Sequence, residues 1–281
     1  MNHLISITKS DGTKQLFEEE KLRNSLNRVG APQEAVEEII DEIEKTMRDG
    51  VTTAEIYHRA FTMLRKHSHH IAIKYSIRRA LIELGPDGFP FEKFVSRIFQ
   101  FWGYQTVTDQ TVLGKCISHE VDVVGWNKEK LVMVEAKFHH EFGLRSDSKV
   151  ALYINARRED LAETYFDYGG IKRKINEFWL VTNTKFTDQA IIYGECNGLK
   201  MLGWNYPVHE GLHEIIEKNG LHPVTCITSL SHQQKKDLVG RNILTCTDLI
   251  RQPQILDSIG VSGELAQKVL QESKIIIQVG K

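Results

Sequence analysis

The fold of this chain is decided by residues 119–140, which read HEVDVVGWNKEKLVMVEAKFHH. The β-branched residues in this stretch favour extended backbone, and residues 125–130 (GWNKEK) reverse the chain, so the stretch predicts a β-hairpin. Side chains alternate along a strand, and both faces are apolar over most of their length, as in strands that lie inside a sheet. Three charged residues, Asp122, Glu135 and Lys137, nevertheless gather at one end of the predicted hairpin.

These charged residues allow two interpretations. In the first, the end of the sheet is exposed and Glu135 and Lys137 form an ordinary surface ion pair, which contributes little to stability. In the second, the residues form a reactive site, since Glu135 and Lys137 project from the same face of their strand. The remainder of the chain distinguishes the two.

The composition predicts a folded protein of about two domains. The chain has 281 residues, of which 41% are hydrophobic and 26% charged, as in soluble globular proteins. Lys and Arg together number 36, and Asp and Glu 37, so the net charge generates no overall field that would attract nucleic acid. Any nucleic-acid site is therefore expected to be a local basic patch.

The sequence does not predict segments for export or membrane insertion. The first residues, MNHLISITKSDG, lack the apolar core of a signal peptide, and no apolar run approaches the ~18 residues needed to span a bilayer. The four cysteines are scattered, with no CxxC pair and no zinc-binding spacing. These features favour a cytoplasmic protein with reduced cysteines and no membrane partner.

A segment rich in glycine and proline, residues 85–90 (GPDGFP), marks the clearest domain boundary. Before it, ISITKSDGTKQLF predicts a β-hairpin around an Asp-Gly turn. Four helices are then predicted, over residues 18–29, 32–48, 53–66 and 69–84. The third begins with the capping-box sequence Thr52-Thr-Ala-Glu55. Residues 1–85 are therefore predicted to form one α-rich domain.

Residues 3–84 resemble the ATP-cone, the nucleotide-binding regulatory domain of ribonucleotide reductases and their repressor. The resemblance rests on four motifs in order: ISITKSDG (5–12), FxxxKL (17–22), DGVTTAEI (49–56) and YxxRR (75–79). It implies that Lys9 and Lys21 contact the phosphates of ATP or dATP, and that Leu22 and Thr53 line the nucleotide site. Gln15 belongs to this site at a position where the family often has an acidic residue, and Ser10 stands where the family usually has arginine.

Physical reasoning supports a nucleotide that binds as a ligand and is not hydrolysed. Two lysines near a tight turn and a helix N-terminus suit a polyphosphate, although surface lysines are more often simply solvated. The sequence has no P-loop GxxxxGK[ST] in this domain, the phosphate cradle of a large class of ATP hydrolases. ATP or dATP is therefore expected to act as an allosteric ligand.

From residue 91 the pattern changes to alternating helices and strands. Residues 91–102 (FEKFVSRIFQFW) predict a strongly apolar helix, with Gly103 as its C-cap. The predicted elements that follow are a strand near 104–108, the hairpin, a helix over 148–164, a strand over 178–182, a helix over 187–196 and a strand over 199–204. The order αβββαβαβ predicts a mixed sheet covered by helices.

This order, with an acidic residue in the second strand and Glu-x-Lys at the end of the third, resembles the restriction-endonuclease-like PD-(D/E)XK nucleases. Phe91-Glu92 at the start of the first helix and Gly103-Tyr104 after it match the Mrr-like subgroup. The resemblance covers residues 88–206 and implies a nuclease domain over 88–208. It implies a Mg²⁺-dependent endonuclease that hydrolyses phosphodiester bonds in DNA.

The resemblance also gives the hairpin charges roles. Asp122, Glu135 and the carbonyl of Ala136 would bind Mg²⁺, or Mn²⁺, because Mg²⁺ takes oxygen ligands and needs only one or two carboxylates. Lys137 would orient the attacking water and stabilise negative charge in the transition state. Glu92 would support the metal ligands or bind an additional metal; alternatively, it is a favourable charge near a helix N-terminus.

Several neighbouring residues have open roles. Glu120 could replace Asp122 if the register of the strands shifts, although it matches the motif less well. Histidines 119, 139 and 140 flank the site, but adjacent histidines on a strand point to opposite faces, so surface or phosphate contacts are favoured over a histidine metal site. Six basic residues can provide phosphate contacts without sequence readout, or simply form a solvated surface: Lys149, Arg157, Arg158, Lys172, Arg173 and Lys174.

Residues 211–281 predict a helical segment. Within it, IGVSGELAQKVL (259–270) resembles the second half of a helix-hairpin-helix, whose backbone amides bind a DNA phosphate. Gly260, Val261 and Ala266 fit the spacing of that motif. Helical packing without DNA binding is the alternative.

The sequence thus predicts an α+β multidomain protein that acts on DNA under the control of ATP or dATP. A homo-oligomer is expected, because cuts on opposite strands need two active sites. RNA is an alternative substrate. The rival function is a non-catalytic, nucleotide-responsive DNA-binding or assembly protein on the same fold.

Overall fold

The computed structural model describes residues 5–9, 12–141 and 143–278, with the side chains of His69 and His70 outside this description. Its chain divides into two compact units, residues 1–78 and 79–281. The predicted Asp-Gly turn includes Ser10 and Asp11, which lie outside the described residues. Across the described ranges, no helix is both long and apolar enough to cross a bilayer.

The first unit contains the predicted hairpin and helices. β1 (Ser6–Thr8) and β2 (Lys14–Leu16) are antiparallel, and the helices are α1 (Glu19–Arg28), α2 (Gln33–Thr46), α3 (Thr53–His67) and α4 (His69–Ile82). The predicted capping box is confirmed, since Thr52 Oγ1 accepts from Glu55 N at 3.1 Å and Glu55 Oε2 accepts from Thr52 N at 3.3 Å. The boundary between the units falls inside α4, a few residues before the predicted joint at 85–90.

The core of the first unit follows from helical periodicity. Apolar residues four apart place Leu22 and Leu26 on one face of α1, and Ile39 and Ile43 on one face of α2. All four are at most 7% exposed, and they pack in one cluster with Leu64 of α3. Burial of these faces stabilises short helices that would be marginal alone.

The second unit is built on a mixed sheet. Its elements begin with α5 (Phe89–Phe101), β3 (Gln105–Leu113), β4 (Ser118–Trp126), β5 (Leu131–Lys137), β6 (Arg145–Ser146), α6 (Ser148–Ala162), β7 (Phe166–Tyr168), β8 (Ile171–Arg173), β9 (Glu177–Thr182), β10 (Lys185–Phe186), α7 (Asp188–Cys196) and β11 (Lys200–Leu202). Five strands pair in the order β11-β9-β5-β4-β3. β3, β4 and β5 are antiparallel, whereas β9 runs parallel to β5 and β11 parallel to β9. The predicted mixed sheet is therefore observed.

The predicted hairpin, β4 and β5, lies at the centre of this sheet. The first four residues of β5 are fully buried because the strand has β4 on one side and β9 on the other. One face packs on α6 and α7 through Met133, Ile154 and Ala190. On the opposite face of the sheet, the ring of Phe99 of α5 lies nearly perpendicular to the ring of Trp179 of β9. The neighbours of Trp179 in the strand point toward α6, so its own side chain points to this opposite face.

Two details differ from the prediction. β3 continues to Leu113 instead of ending near residue 108, because β4 pairs with it as far as Ser118. Two small sheets, β6 with β10 and β7 with β8, are additional. Strands of two or three residues are too short to produce a periodic signal in the sequence.

The C-terminal segment is helical, as predicted, and belongs to the same compact unit as the sheet. Its helices are α8 (Leu212–Asn219), α9 (His232–Gly240), α10 (Cys246–Arg251) and α11 (Gly263–Gln278). Arg97 of α5 donates from Nε to both carboxylate oxygens of Asp248 at 3.2 Å, and Asp248 is 8% exposed. Before α11, Gly260 has left-handed backbone (φ 72°) and Val261 is fully buried. DNA binding by this turn stays a prediction.

A buried carboxylate fastens α11. Glu272 is 8% exposed and accepts four hydrogen bonds of 2.5–3.0 Å, from the backbone N–H and the hydroxyl of both Thr228 and Ser229. Burial opposes ionisation of Glu272, but the hydrogen bonds outweigh burial and lower its pKa. The ionised carboxylate is therefore part of the folded structure.

Replacing Glu272 with Gln should lower the free energy of unfolding by about 1–3 kcal/mol at neutral pH, because the amide cannot accept hydrogen bonds at both ends. The pKa of Glu272 is lower in the folded state, so its contribution is present above the unfolded-state pKa of about 4.3. That contribution disappears as the pH falls through the folded-state pKa. Urea unfolding of both proteins should show a difference that shrinks in acid. A difference independent of pH would contradict the role of the charge.

Candidate active site: an acidic cluster at the end of the central hairpin

The two carboxylates of the predicted metal site face each other across neighbouring strands. The β4–β5 ladder pairs Val123 with Val134, and the next step of this register brings Asp122 opposite Glu135. At this position a side-chain oxygen replaces the backbone carbonyl as the hydrogen-bond acceptor: Asp122 Oδ2 accepts from Ala136 N at 2.7 Å. The N–H and C=O of one strand residue point to the same side, so the Ala136 carbonyl also points toward β4.

Three more carboxylates surround this pair. Glu92 comes from the first turn of α5, Glu120 from β4 and Asp109 from β3. The β3–β4 ladder is interrupted at Asp109, whose backbone is left-handed (φ 61°). Such backbone is uncommon for a residue with a side chain and is often found at functional sites. The sequence prediction omits Asp109, because one acidic residue in an alternating strand gives no separate signal.

Burial, together with the charges of neighbouring acids, raises the pKa values of Glu92, Asp122 and Glu135. Burial, with the charge of Asp122 next in importance, raises the pKa of Glu92 to about 8. Burial also raises the pKa of Glu135 to about 7, with Asp122 adding to the effect and Arg157 opposing it. The pKa of Asp122 is raised by burial too, against the hydrogen bond from Ala136. The cluster therefore favours protons or cations, as functional carboxylates often do.

Arg157 of α6 is a cation of this site that the sequence prediction places elsewhere. Its Nη1 donates to the Glu135 carboxylate and to the carbonyl oxygen of Glu120, the latter at 2.7 Å, and its Nη2 donates to the Tyr153 hydroxyl at 3.2 Å. The side chains of Arg157 and Glu135 are only 11% and 18% exposed. The sequence identifies Arg157 as one of six downstream basic residues, and nothing local connects it with an acid 22 residues earlier.

Lys137 is exposed at the end of β5, on the same face as Glu135. Burial raises the pKa of Glu135, whereas the charges of Arg157 and Lys137 oppose that rise. The structure thus brings Glu92, Asp122, Glu135 and Lys137 to one end of the sheet. Their roles in metal binding and catalysis stay predictions.

The histidines next to the hairpin have partners of their own. His119 Nε2 lies 2.8 Å from Asp160 Oδ2, and His139 Nε2 lies 3.0 Å from Ser146 Oγ. Asn183 also holds the backbone of His139 at both its N–H and its carbonyl. These contacts secure the loops beyond the hairpin and support structural roles for the two histidines.

The possible metal ligands of this site are oxygen atoms, the ligand type that Mg²⁺ takes. Among the described residues, no group of three or more His, Cys, Asp and Glu side chains is arranged to hold a metal ion. Mg²⁺ needs fewer protein ligands, because it keeps several waters and takes one or two carboxylates. Asp122, Glu135 and the Ala136 carbonyl could serve as such ligands, and binding of Mg²⁺ by them stays a prediction.

Half of the six predicted phosphate contacts are engaged within the protein. Besides Arg157, Arg173 donates to the carbonyl of Asn127 at 2.6 Å, and Lys174 pairs with Glu163 at 2.5 Å. Of the same six residues, Lys149 and Lys172 are exposed. The predicted basic surface is therefore smaller than the sequence indicates.

The predicted nucleotide residues of the first unit lie around its hairpin. Lys9 is exposed in the turn between β1 and β2, and Gln15 lies on β2. Thr53 is the first residue of α3, and its neighbour Thr52 bridges to Thr8 of β1. Lys9 and Thr53 thus belong to adjacent segments.

Two other predicted nucleotide residues are on α1. Lys21 is exposed and pairs with Glu18 at 2.7 Å. Leu22 is 7% exposed and belongs to the core of the unit. Contact of any of these five residues with a nucleotide stays a prediction.

Replacing Glu92 with Gln should raise the melting temperature of the metal-free protein near pH 8. The folded-state pKa of Glu92, about 8, exceeds the unfolded value of about 4.3, so stability falls as the pH rises between these values. Glutamine imitates the protonated form and removes this loss, whereas near pH 4 the variant and the parent should melt alike. Thermal melts in EDTA measure the effect, with Glu129→Gln in the exposed turn as the control. Parallel pH curves for parent and variant would contradict the raised pKa.

Comparison with known proteins gives this arrangement a family. Residues 5–82 match the ATP cone domain, and residues 222–277 match the family described as AF1548-like, C-terminal. An uncharacterized protein of Archaeoglobus fulgidus is 32% identical over 184 residues, which are 65% of this chain and 99% of that protein. The crystal structure of a protein of unknown function, AF1548, has a TM-score of 0.55 at 31% identity and covers 68% of this chain and 99% of its own.

The match over residues 5–82 confirms the resemblance drawn from the motifs between 5 and 79. The descriptions of the relatives name no nuclease, so that part of the sequence interpretation stays a prediction. The A. fulgidus protein is matched over nearly its whole length. The chain belongs to the AF1548-like family and carries an ATP cone domain at its N-terminus.

Proposed function

We propose that this protein is a metal-dependent DNA endonuclease whose activity responds to ATP or dATP bound by its ATP cone. The observation that carries the proposal is the position of Asp122 opposite Glu135, with Lys137 two residues beyond. Burial raises the pKa values of both carboxylates and neighbouring acids add to the rise, an arrangement that reduces stability. Proteins accept such a loss mainly where function requires it.

Asp122 and Glu135 provide the ligands that phosphodiester hydrolysis needs. When bound, Mg²⁺ or Mn²⁺ would neutralise the phosphate and lower the pKa of a water molecule. Asp122 is held in place by the N–H of Ala136, which fixes one carboxylate oxygen and leaves the other available. In the metal-free protein Glu92 is half-buried with a pKa of about 8, so it is suited to hold a proton at neutral pH.

The exposure of Lys137 supports its proposed role as a catalytic cation. It is exposed on the same face as Glu135, so a substrate phosphate can approach it from solvent. Its ammonium would stabilise the charge that accumulates on phosphate oxygens and orient the attacking water. The exposed Lys149 at the start of α6 and Lys172 on β8 would add contacts with the DNA backbone.

Regulation by nucleotide rests on the ATP cone. Lys9 and Thr53 lie on adjacent segments near the turn of the hairpin, which supports a phosphate site there. An effector shifts a conformational equilibrium only through different affinities for its two states. Nucleotide binding is therefore expected to alter cleavage or assembly, including formation of a homo-oligomer, without consumption of ATP.

A second candidate function is supported by the ion pair between Glu135 and Arg157. If this pair is permanent, Glu135 has no free role, and the fold would serve a non-catalytic, nucleotide-responsive protein that binds DNA. Calorimetry with Mg²⁺ distinguishes the two functions. DNA binding without any metal binding that depends on Asp122 and Glu135 would favour the second.

Replacing Glu135 with Ala should reduce Mg²⁺-dependent cleavage of plasmid DNA at least about 100-fold, a loss of about 2.7 kcal/mol of transition-state stabilisation. The reason is the loss of one of the two carboxylates that are proposed to bind the metal. Glu129→Ala is the matched control, since Glu129 is an exposed glutamate in the turn of the same hairpin. Circular dichroism should show both variants folded. Unchanged cleavage by folded Glu135→Ala would reject the nuclease site.

The double variant Lys9→Ala with Lys21→Ala should lose its response to ATP or dATP while it keeps basal cleavage. Each lysine is exposed, so removing its charge should weaken phosphate binding without disturbing the core. The control is Lys45→Ala with Lys66→Ala, two exposed lysines on α2 and α3. Calorimetry measures nucleotide binding, and plasmid cleavage measures the response. Phosphate release that tracks cleavage and depends on Lys9 would contradict a purely regulatory nucleotide.

A further inference from the structure

We propose that Arg157 is a displaceable counter-ion of the acidic cluster. In the free protein it pairs with Glu135; when a divalent cation binds, it leaves Glu135 and binds a phosphate group of the DNA next to the site. This inference rests on the proposed function and assigns it one more substrate-binding residue. It also explains how Glu135 can be paired in the free protein and still serve as a metal ligand.

The contacts of Arg157 show that it offsets part of the negative charge of the cluster. One nitrogen, Nη1, serves both the Glu135 carboxylate and the Glu120 carbonyl. The guanidinium thus lies between β4 and β5, where the strands carry Asp122 and Glu135. A single charge from α6 offsets only part of a cluster of five carboxylates.

The same contacts leave Arg157 incompletely satisfied. Its Nε is buried and has no hydrogen-bond partner. A buried donor without an acceptor costs free energy, and structural ion pairs are normally fully hydrogen-bonded. By contrast, each carboxylate oxygen of Glu272 accepts two hydrogen bonds in the same unit. In its position beside Glu135, Arg157 therefore leaves one of its hydrogen-bond donors, Nε, without an acceptor.

Tyr153 is a partner that the guanidinium would keep after leaving Glu135. It lies one helical turn before Arg157, with the guanidinium carbon 5.2 Å from the centre of its ring and its hydroxyl accepting from Nη2. The ring is 62% exposed, so it extends from the acidic cluster into solvent. Arg157 can swing away from Glu135 without losing the ring, and a guanidinium in that position presents a planar fork to a phosphate.

Electrostatics determine the direction of the exchange. A divalent cation held by Asp122 and Glu135 would carry twice the charge of Arg157. The guanidinium would then be repelled, and the donor that it now gives to Glu135 would become available for an anion. Metal and DNA should therefore bind cooperatively, with Arg157 as the residue that couples them.

The first test measures Mg²⁺ binding by calorimetry in the absence of DNA. Arg157→Met keeps the length of the side chain but not its charge, and it should bind Mg²⁺ about tenfold more tightly than the parent, a change of about 1.4 kcal/mol. Lys149→Met, an exposed lysine on the same helix, should leave the affinity unchanged. Equal or weaker binding by Arg157→Met would overturn the proposal.

Arg157→Lys covers the case in which methionine prevents folding. Lysine keeps the charge but cannot donate to Glu135, Glu120 and Tyr153 together, so it should also bind Mg²⁺ more tightly than the parent. Affinity equal to that of the parent in Arg157→Lys would count against displacement. Metal binding by the parent that disappears in Glu135→Ala confirms the site independently, so failure of the counter-ion and failure of the metal site can be told apart.

The second test measures DNA affinity with Ca²⁺ and with EDTA, using a labelled duplex. For the parent, Ca²⁺ should strengthen binding, and Arg157→Met should lose about tenfold of that increase. Lys149→Met should weaken binding about equally in both conditions, since its phosphate contact does not depend on the metal. A residue that merely stabilised the fold would not change the difference between the two conditions. An unchanged increase in Arg157→Met would therefore refute the coupling.

Discussion

The second unit depends on one constraint, the burial of β5 on both faces. A strand covered on both sides cannot carry a charged side chain in its interior, because a buried charge without compensation is very costly. The first four residues of β5 are accordingly apolar and fully buried. Glu135 follows them directly and is partly exposed. The buried core thus limits carboxylates to the end of the strand. At that position the surroundings are less polar than water, so charges interact strongly.

The protein treats buried carboxylates in two opposite ways. Glu272 is surrounded by donors, and the pKa falls despite burial. Both carboxylate oxygens of Asp248 accept a hydrogen bond from Arg97, and one of them also accepts from two backbone N–H groups. At the end of the hairpin, Asp122 and Glu135 lie beside further acids, and their pKa values rise. The hydrogen bonds of Glu272 hold the C-terminal helical segment together, and those of Asp248 connect it to α5. The carboxylates at the end of the hairpin instead leave negative charge only partly neutralised at an accessible edge of the sheet.

Periodicity and composition predicted most of the fold. The alternation in residues 119–140 indicated an inner hairpin, and the helical spacing in the first unit gave its helices to within a few residues. The positions of individual side chains in three dimensions were harder to predict from the sequence. Arg157 belongs to the cluster because α6 packs over the sheet, and a charged residue on a helix gives no sign of its partner across the fold. Asp109 contributes through a local break in β3, which the amino-acid pattern of an ordinary strand does not reveal.

The interruption at Asp109 also bears on how the protein behaves in concentrated solution. β3 is the outermost strand of the sheet, and its free side offers backbone groups to any extended chain that approaches. The left-handed residue breaks this straight row near the middle, where Gln110 turns its amide back to the carbonyl of Thr108 at 2.9 Å. A charged side chain at the same place further discourages a neighbouring strand. The same feature that brings Asp109 to the cluster thus interrupts the open edge of the sheet, where an extended chain would otherwise pair.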